Sequence, residues 1–162
     1  MGEKIITALR LEGFFNFVSL NQKIRYTLGK EERLKSRKAI ESLFKQGKSF
    51  SVFPFRVLYM LEQTSIVQDA SPGKSGHSKL QAGFTVSSRN FKKAVDRNRV
   101  KRLMREAYRL QKNDLQQLSV LHHYNLALFF IYVGKELPEY KQVVEKIDIV
   151  LKRMIKLISE RG

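Results

Sequence analysis

The sequence contains no cysteine and no tryptophan, and only 3 of its 162 residues are proline. Without cysteine the chain can form neither a disulfide bond nor a thiolate zinc site, so a reducing compartment, the cytoplasm, is the expected location. No apolar run approaches the roughly 18 residues that a membrane-spanning helix needs. We therefore expect neither a disulfide-stapled secreted domain nor a membrane-spanning protein.

Acidic residues are also scarce, since 15 Asp and Glu stand against 31 Lys and Arg, for a formal net charge of +16. Such an excess repels itself in a compact chain, and a polyanionic partner relieves that repulsion. Nucleic acid and anionic membrane are the two candidate polyanions. The few acids are scattered and include no D-x-D cluster of the kind that metal-dependent phosphodiester cleavage needs.

Several catalytic signatures are missing as well. The sequence has no Gly-rich phosphate loop with a Walker lysine, no G-x-S-x-G nucleophile and no i, i+4 pair among its 3 histidines. We therefore expect no catalytic residue, no metal site and no small-molecule substrate in this chain.

The chain is long enough for one folded domain, and 43% of its residues are hydrophobic. Residues 1–27 show no clean periodicity, and Glu3 and Glu12 stand where a signal peptide would be cationic. We expect 1–27 to be a poorly ordered extension rather than a targeting segment, and 28–162 to be the folded domain. The polar stretch 63–79 predicts a mobile loop.

Hydrophobic periodicity predicts helices and strands in a mixed order. The predicted elements are helix 30–46, strand 49–62, strand 80–87, helix 94–118, strand 125–133 and helix 138–159. Gly47 marks the end of the first helix, and Pro54 would divide the first strand in two, which gives the order α-β-β-β-α-β-α. Strands 49–62 and 80–87 could pair as a long hairpin. Strand 125–133 is apolar on both faces, which predicts a central strand covered twice, in an α+β sandwich.

The helix 94–118 separates two kinds of side chain when its residues are placed 100° apart. Apolar side chains that would face a core are Val100, Leu103, Met104 and Ala107. Basic side chains that stand four residues apart on another side, here called the basic ridge, are Arg97, Lys101, Arg105 and Arg109. Like charges at this spacing repel one another, and we expect the nearby acids Asp96 and Glu106 not to neutralise the ridge.

An anion-binding surface explains the basic ridge better than a solvated charged face, which normally mixes both signs. The planar guanidinium of arginine matches phosphate in a bidentate manner and stacks on bases. Asn98, beside the ridge, adds a donor and an acceptor that could contact a base edge or a 2′-hydroxyl. The spacing by itself does not distinguish RNA from DNA.

The segment Arg97-Asn98-Arg99-x-Lys101-Arg102-x-x-Arg105 resembles the R-N-R signature of the bacterial ribonuclease P protein subunit. Four further segments resemble the same family in the same order: Arg33-Leu34-Lys35, Phe44-x-x-Gly47, Val57-Leu58-Tyr59 and Gly83-Phe84-Thr85-Val86-Ser87. The resemblance covers the chain from about Leu28 onward. It implies a two-layer α/β sandwich with a left-handed βαβ crossover, whereas the general rule predicts a right-handed one.

The resemblance also implies a function. The protein would be the non-catalytic subunit of an endoribonuclease that removes the 5′ leader from precursor tRNA. The catalytic RNA subunit would perform the Mg²⁺-dependent cleavage and hold most of the Mg²⁺, while the protein would bind that RNA and the leader. Residues implied to bind RNA are Arg89, Lys92, Lys93, Arg97, Asn98, Arg99, Lys101, Arg102, Arg105 and Arg109. Residues implied to form the leader cleft are Ile40, Phe44, Phe55, Val57 and Tyr59.

Two departures from the family pattern affect these expectations. Ile40 stands where an aromatic residue is common, which leaves only apolar contact there, and the segment Ser87–Lys93 lacks the usual glycine. Core packing is the alternative role for Phe55. Two other functions also remain open, a ribosomal-protein-like structural RNA binder and a protein-only nuclease, although the scattered acids argue against the second.

Overall fold

The computed structural model describes residues 26–63 and 79–161. Predictions made for residues 1–25 and for the loop 64–78 therefore lie outside the described residues. The elements in chain order are α1 (Arg37–Gln46), β1 (Lys48–Val52), β2 (Phe55–Gln63), β3 (Leu80–Val86), α2 (Ala94–Gln111), α3 (Asn113–Leu121), β4 (Tyr124–Tyr132) and α4 (Tyr140–Ser159). Of the helices in this described part, none is long and apolar enough to cross a membrane.

The four strands form one mixed sheet in the order β1-β2-β4-β3. Strand β4 pairs antiparallel with β2, where Leu58 lies opposite Phe129, and parallel with β3, where Phe84 lies opposite Phe130. The predicted central position of β4 is confirmed. The predicted pairing of strands 49–62 and 80–87 is wrong, because the doubly apolar β4 inserts between them, with one face enclosed and the other partly covered.

Helices cover both faces of this sheet to different extents. Helices α2, α3 and α4 pack on one face around a main core that includes Leu128, Phe130 and Ile147. Helix α1 covers part of the other face through a smaller cluster of Leu34, Leu43, Leu58 and Phe129. The α+β sandwich is confirmed, and full burial of each such side chain contributes roughly 1.5–3 kcal/mol.

The first helix begins seven residues later than predicted. Ser36 caps it, because its hydroxyl accepts a hydrogen bond from the Ala39 amide at 3.4 Å. Residues 32–34 instead follow the outer edge of β3, since Leu34 donates to the Ala82 carbonyl at 3.0 Å and Ala82 donates to the Glu32 carbonyl at 2.9 Å. This segment therefore covers part of an edge that would otherwise expose unpaired backbone groups.

The predicted helix 94–118 is divided into α2 and α3 at Lys112. The backbone of Lys112 keeps a helical conformation with φ −69°, but its side chain is only 2% exposed and forms an ion pair with Glu32. The turn at this residue lets α3 bury Leu115 and Leu118 in the main core. Periodicity did not predict the division, because a lysine is normally expected on the surface.

Candidate nucleic-acid interface

The apolar side of α2 anchors the helix to the sheet. Val100, Met104 and Ala107 are completely buried, Leu103 packs against the same core, and Tyr108 extends the buried side by one residue. The predicted core-facing side of this helix is therefore confirmed. Because the opposite side cannot contact the sheet, its polar residues are directed away from the core.

The outward side of α2 presents basic groups without internal partners. Asn98, Arg99, Arg102 and Arg105 are exposed and Lys101 is half-buried. Within the described part of the chain, none of these five side chains makes a hydrogen bond or ion pair with another residue. Their donors therefore remain available to an external ligand, and the positive charge of the four cations is not compensated locally.

Arg97 contacts backbone rather than an acid. Its Nη1 donates to the carbonyl oxygens of Phe91 at 2.8 Å and Lys92 at 2.7 Å. The side chain thus ties the preceding loop to the first turn of α2. Its charge is not neutralised by these contacts, so Arg97 both positions the loop and adds to the positive potential.

Arg109 departs from the prediction for the ridge. Its Nε donates to Glu106 Oε2 at 2.7 Å, and its Nη1 donates to the Tyr26 carbonyl at 2.7 Å. The hydrogen bond from Arg109 lowers the pKa of Glu106, and the same contact raises the pKa of Arg109. The expectation that Glu106 would leave the ridge unneutralised is wrong at this position, because residues three apart on a helix lie side by side.

The loop between β3 and α2 keeps its shape without a glycine. Phe91 is buried in the main core, and Asn90 Nδ2 donates to the carbonyls of Val133 at 2.8 Å and Gly134 at 3.1 Å. These anchors leave the loop's three basic side chains exposed next to the start of α2. They are Arg89, Lys92 and Lys93.

Three residues expected in a leader cleft lie in the core instead. Phe55 and Val57 are completely buried and Tyr59 is 8% exposed, all beneath the face covered by α2, α3 and α4. Their assignment to the cleft is wrong, because no ligand can contact side chains that other residues already enclose. The alternation of side chains along the strand correctly predicted that the three share one face of the sheet, but α2, α3 and α4 cover that face.

The other two cleft residues, Ile40 and Phe44, lie on α1 at the opposite face of the sheet. Phe44 is 52% exposed and meets Phe129 edge-on, with ring centroids 5.5 Å apart. Met60 and Ile131 are partly buried in the same cluster.

Arg56 shares this sheet face, because it alternates with Leu58 along β2 and is exposed. Arg56, Met60 and Ile131 were not predicted from the sequence as residues of this site. Their alternation in the strands was visible in the sequence, but the side on which α1 packs was not.

Residues 26–34 connect the two faces of the sheet. The Tyr26 carbonyl is held by α2, the backbone of Leu34 is held by β3, and α1 follows on the far side. Arg33 donates through Nε and Nη2 to the Leu28 carbonyl at 3.2 and 3.1 Å, which fixes the turn between them. The exposed Lys30, Arg33 and Lys35 extend the basic surface around this edge.

Carboxylates and histidines do not gather in the described residues. No group of three or more His, Asp or Glu side chains there lies close enough together to hold a metal ion. The chain's own described residues therefore do not fit a protein-bound magnesium site.

Comparisons with known proteins agree on one family. A sequence model of the Ribonuclease P family matches residues 28–155. The ribonuclease P protein component of Porphyromonas gingivalis is 37% identical over 118 residues, which cover 73% of this chain and 79% of that protein. The corresponding component of Chlorobium phaeobacteroides is 34% identical over 132 residues, covering 75% and 84%.

Solved structures show the same fold. The ribonuclease P protein of Thermotoga maritima has a TM-score of 0.53 at 28% identity, covering 75% of this chain and 96% of that one. The protein of Staphylococcus aureus has a TM-score of 0.54 at 22% identity, covering 76% and 95%, and supports the fold alone. The chain belongs to the ribonuclease P protein family.

Proposed function

We propose that this chain is the protein subunit of a cytoplasmic ribonuclease P, which removes the 5′ leader from precursor tRNA. The chain binds the catalytic RNA and the leader, and the RNA performs the cleavage with Mg²⁺ that it holds itself. One observation carries the proposal: Val100, Met104 and Ala107 on the apolar side of α2 are fully buried, while the cations on its outward side, Arg109 excepted, have no acidic partner among the described residues.

The catalytic RNA contacts the outward side of α2 and the loop before it. Proposed contact residues are Arg89, Lys92, Lys93, Arg97, Asn98, Arg99, Lys101, Arg102 and Arg105. Their charges neutralise phosphates and release condensed counterions, and the duplex geometry of folded RNA suits a rigid row of cations. Arg109 contributes indirectly, because its side chain is committed to Glu106 and to the Tyr26 carbonyl.

The leader contacts the sheet face beside α1. Phe44 offers an exposed ring for stacking of an unpaired base, Ile40, Met60 and Ile131 add apolar contact, and Arg56 supplies a cation for the backbone. Stacking of this kind contributes roughly 1–3 kcal/mol per base and tolerates different sequences. This arrangement suits a single strand better than a duplex.

The test measures cleavage of precursor tRNA by the cognate catalytic RNA at low Mg²⁺, with and without the full chain. The protein should stimulate cleavage of substrates with long leaders more than cleavage of substrates with a one-nucleotide leader. Cleavage by the protein alone would point to a protein-only nuclease. Binding without any stimulation, or stimulation independent of leader length, would favour a structural RNA binder and overturn the proposal.

A further inference from the structure

A pocket of about 420 Å³ lies between α2 and the segment that precedes α1. Four arginines line it, namely Arg33, Arg102, Arg105 and Arg109, together with Glu106 and Tyr26. The proposed function uses α2 as a row of phosphate contacts and gives no role to an open pocket beside it. The pocket therefore requires a separate explanation.

The pocket carries a net positive charge that its own residues do not remove. Among the described residues that line it, Glu106 is the one acid, and both of its carboxylate oxygens accept hydrogen bonds from Arg109. Arg102 and Arg105 make no hydrogen bond or ion pair with any other residue described, and both are exposed. The site therefore attracts an anion, and its arginines suit the planar, multidentate geometry of phosphate.

The walls of the pocket are held in place by internal contacts. Arg109 fixes the Tyr26 carbonyl, Arg33 fixes the Leu28 carbonyl, and the Gly29 amide donates to Glu32 Oε2 at 2.6 Å. Glu32 in turn forms the buried ion pair with Lys112 at the end of α2. A site whose walls are fixed before binding loses less conformational entropy when a ligand enters.

The size and lining of the pocket select the type of ligand. A volume of about 420 Å³ falls near the lower end of the range of roughly 300–1,000 Å³ for small-molecule pockets. It is therefore suited to one nucleotide rather than to a groove-spanning duplex. Tyr26 is 48% exposed, so its ring can stack on a base while its backbone remains held by Arg109.

We propose that this pocket binds one unpaired nucleotide of the catalytic RNA, turned out of its strand. The phosphate contacts Arg102 and Arg105, and the base stacks on Tyr26 beside the guanidinium of Arg33. The inference rests on the proposed RNA-binding function of α2 and adds a site for a single base to it. The pocket adjoins α2, whereas Ile40 and Phe44 lie across the sheet, so the occupant belongs to the catalytic RNA rather than to the leader.

The test compares Tyr26→Ala with Tyr26→Phe in binding of the full chain to the cognate catalytic RNA. Loss of one stacked base should weaken the affinity by roughly 5- to 150-fold for Tyr26→Ala, with an unchanged salt dependence. Tyr26→Phe keeps the ring and should bind within about twofold of the wild type. Both variants should fold, because the carbonyl of residue 26 and not its ring contacts Arg109.

A charge variant tests the phosphate half of the site. Arg102→Gln should weaken binding and reduce the slope of log K against log salt by about one unit. The matched control is Lys152→Gln on α4, which also removes one positive charge but lies outside the pocket, next to Asp148. The control should leave both the affinity and the salt slope close to those of the wild type.

Footprinting of the RNA by 2′-hydroxyl acylation identifies the bound nucleotide. One unpaired nucleotide should change reactivity with wild-type protein and with Tyr26→Phe but not with Tyr26→Ala. Adenosine monophosphate should compete for the site better than inorganic phosphate at matched ionic strength. Equal competition by the two would indicate a simple anion site and overturn the proposal.

The experiments distinguish a failure of the nucleotide-pocket proposal from a failure of the proposed RNA-binding function. If Arg105→Ala weakens RNA binding while Tyr26→Ala matches the wild type in affinity and footprint, α2 binds RNA but the nucleotide pocket does not exist. If the wild-type chain does not bind the catalytic RNA at all, the proposed function fails and the pocket proposal fails with it.

Discussion

The buried ion pair between Glu32 and Lys112 gives the sharpest test of how this fold is held together. The side chain of Lys112 is 2% exposed, whereas that of Glu32 is 23% exposed and also accepts a hydrogen bond from the Gly29 amide. The two partners therefore differ in what their removal leaves behind. Replacing Glu32 leaves the buried ammonium of Lys112 without a partner, while replacing Lys112 leaves the carboxylate of Glu32 unpaired but able to turn toward water.

The expected costs follow from this asymmetry. Glu32→Gln keeps the shape but leaves Lys112 uncompensated, which should reduce the free energy of unfolding by about 3–5 kcal/mol, toward the lower end because water reaches the Glu32 side. Lys112→Met retains the hydrogen bond from Gly29 and should cost about 1–2 kcal/mol. The double variant removes both charges and should be more stable than Glu32→Gln alone, because an apolar replacement of a buried pair is often neutral.

Urea unfolding followed by circular dichroism measures these differences, and the denaturant slope should stay unchanged. A domain of this size has a total stability of about 5–15 kcal/mol, so a loss of 3 kcal/mol is readily measured. The reasoning would be refuted if Lys112→Met were more damaging than Glu32→Gln. It would also be refuted if the double variant were less stable than Glu32→Gln.

Three further predictions concern the sheet and its two faces. Burial, with a contribution from nearby Glu32, raises the pKa of Tyr108, so the folded state keeps a proton that the unfolded state loses above about pH 10. The free energy of unfolding should therefore fall by up to about 1.4 kcal/mol per pH unit above that pH. Urea unfolding at pH 9 and pH 11 should show a smaller fall for Tyr108→Phe than for the wild type. A methyl group at Gly83 would collide with the Phe129 ring, so Gly83→Ala should cost about 1–3 kcal/mol in thermal unfolding, and an unchanged melting temperature would contradict this. Phe44→Ala should reduce the free energy of unfolding by only about 1 kcal/mol, because the ring is 52% exposed and loses one edge contact. The same variant should weaken cleavage of long-leader substrates, whereas the control Phe53→Ala, at a residue that is 75% exposed, should leave that cleavage unchanged.

Local patterns predicted the elements better than their arrangement. The end of α1 at Gln46 followed from Gly47, whose amide donates to the Leu43 carbonyl at 2.9 Å and whose position leaves no room for a Cβ beside that oxygen. Pro54 correctly predicted the division between β1 and β2. The pairing of β2 with β4 rather than with β3 depends on contacts far apart in sequence, which local periodicity does not encode.

In the candidate site, too, local patterns predicted some features, and others depended on tertiary contacts. The side of α2 that faces the core was predictable from a 3.6-residue period, because burial of an apolar stripe determines the orientation of a helix. The pairing of Glu106 with Arg109 was compatible with the spacing but was decided by the geometry of the helix surface. The pocket beside Tyr26 was not predictable, since it depends on where the segment before α1 docks.

The sequence by itself determined the charge of the protein, the two sides of α2 and the family to which its signature points. It also determined that Phe55, Val57 and Tyr59 share one face of a strand, because alternation is a property of the backbone. Only the tertiary structure decided that this face is enclosed by α2, α3 and α4, and that Lys112 turns inward to meet Glu32. Local periodicity specifies which side chains lie together, whereas long-range packing selects which of those sets is removed from water.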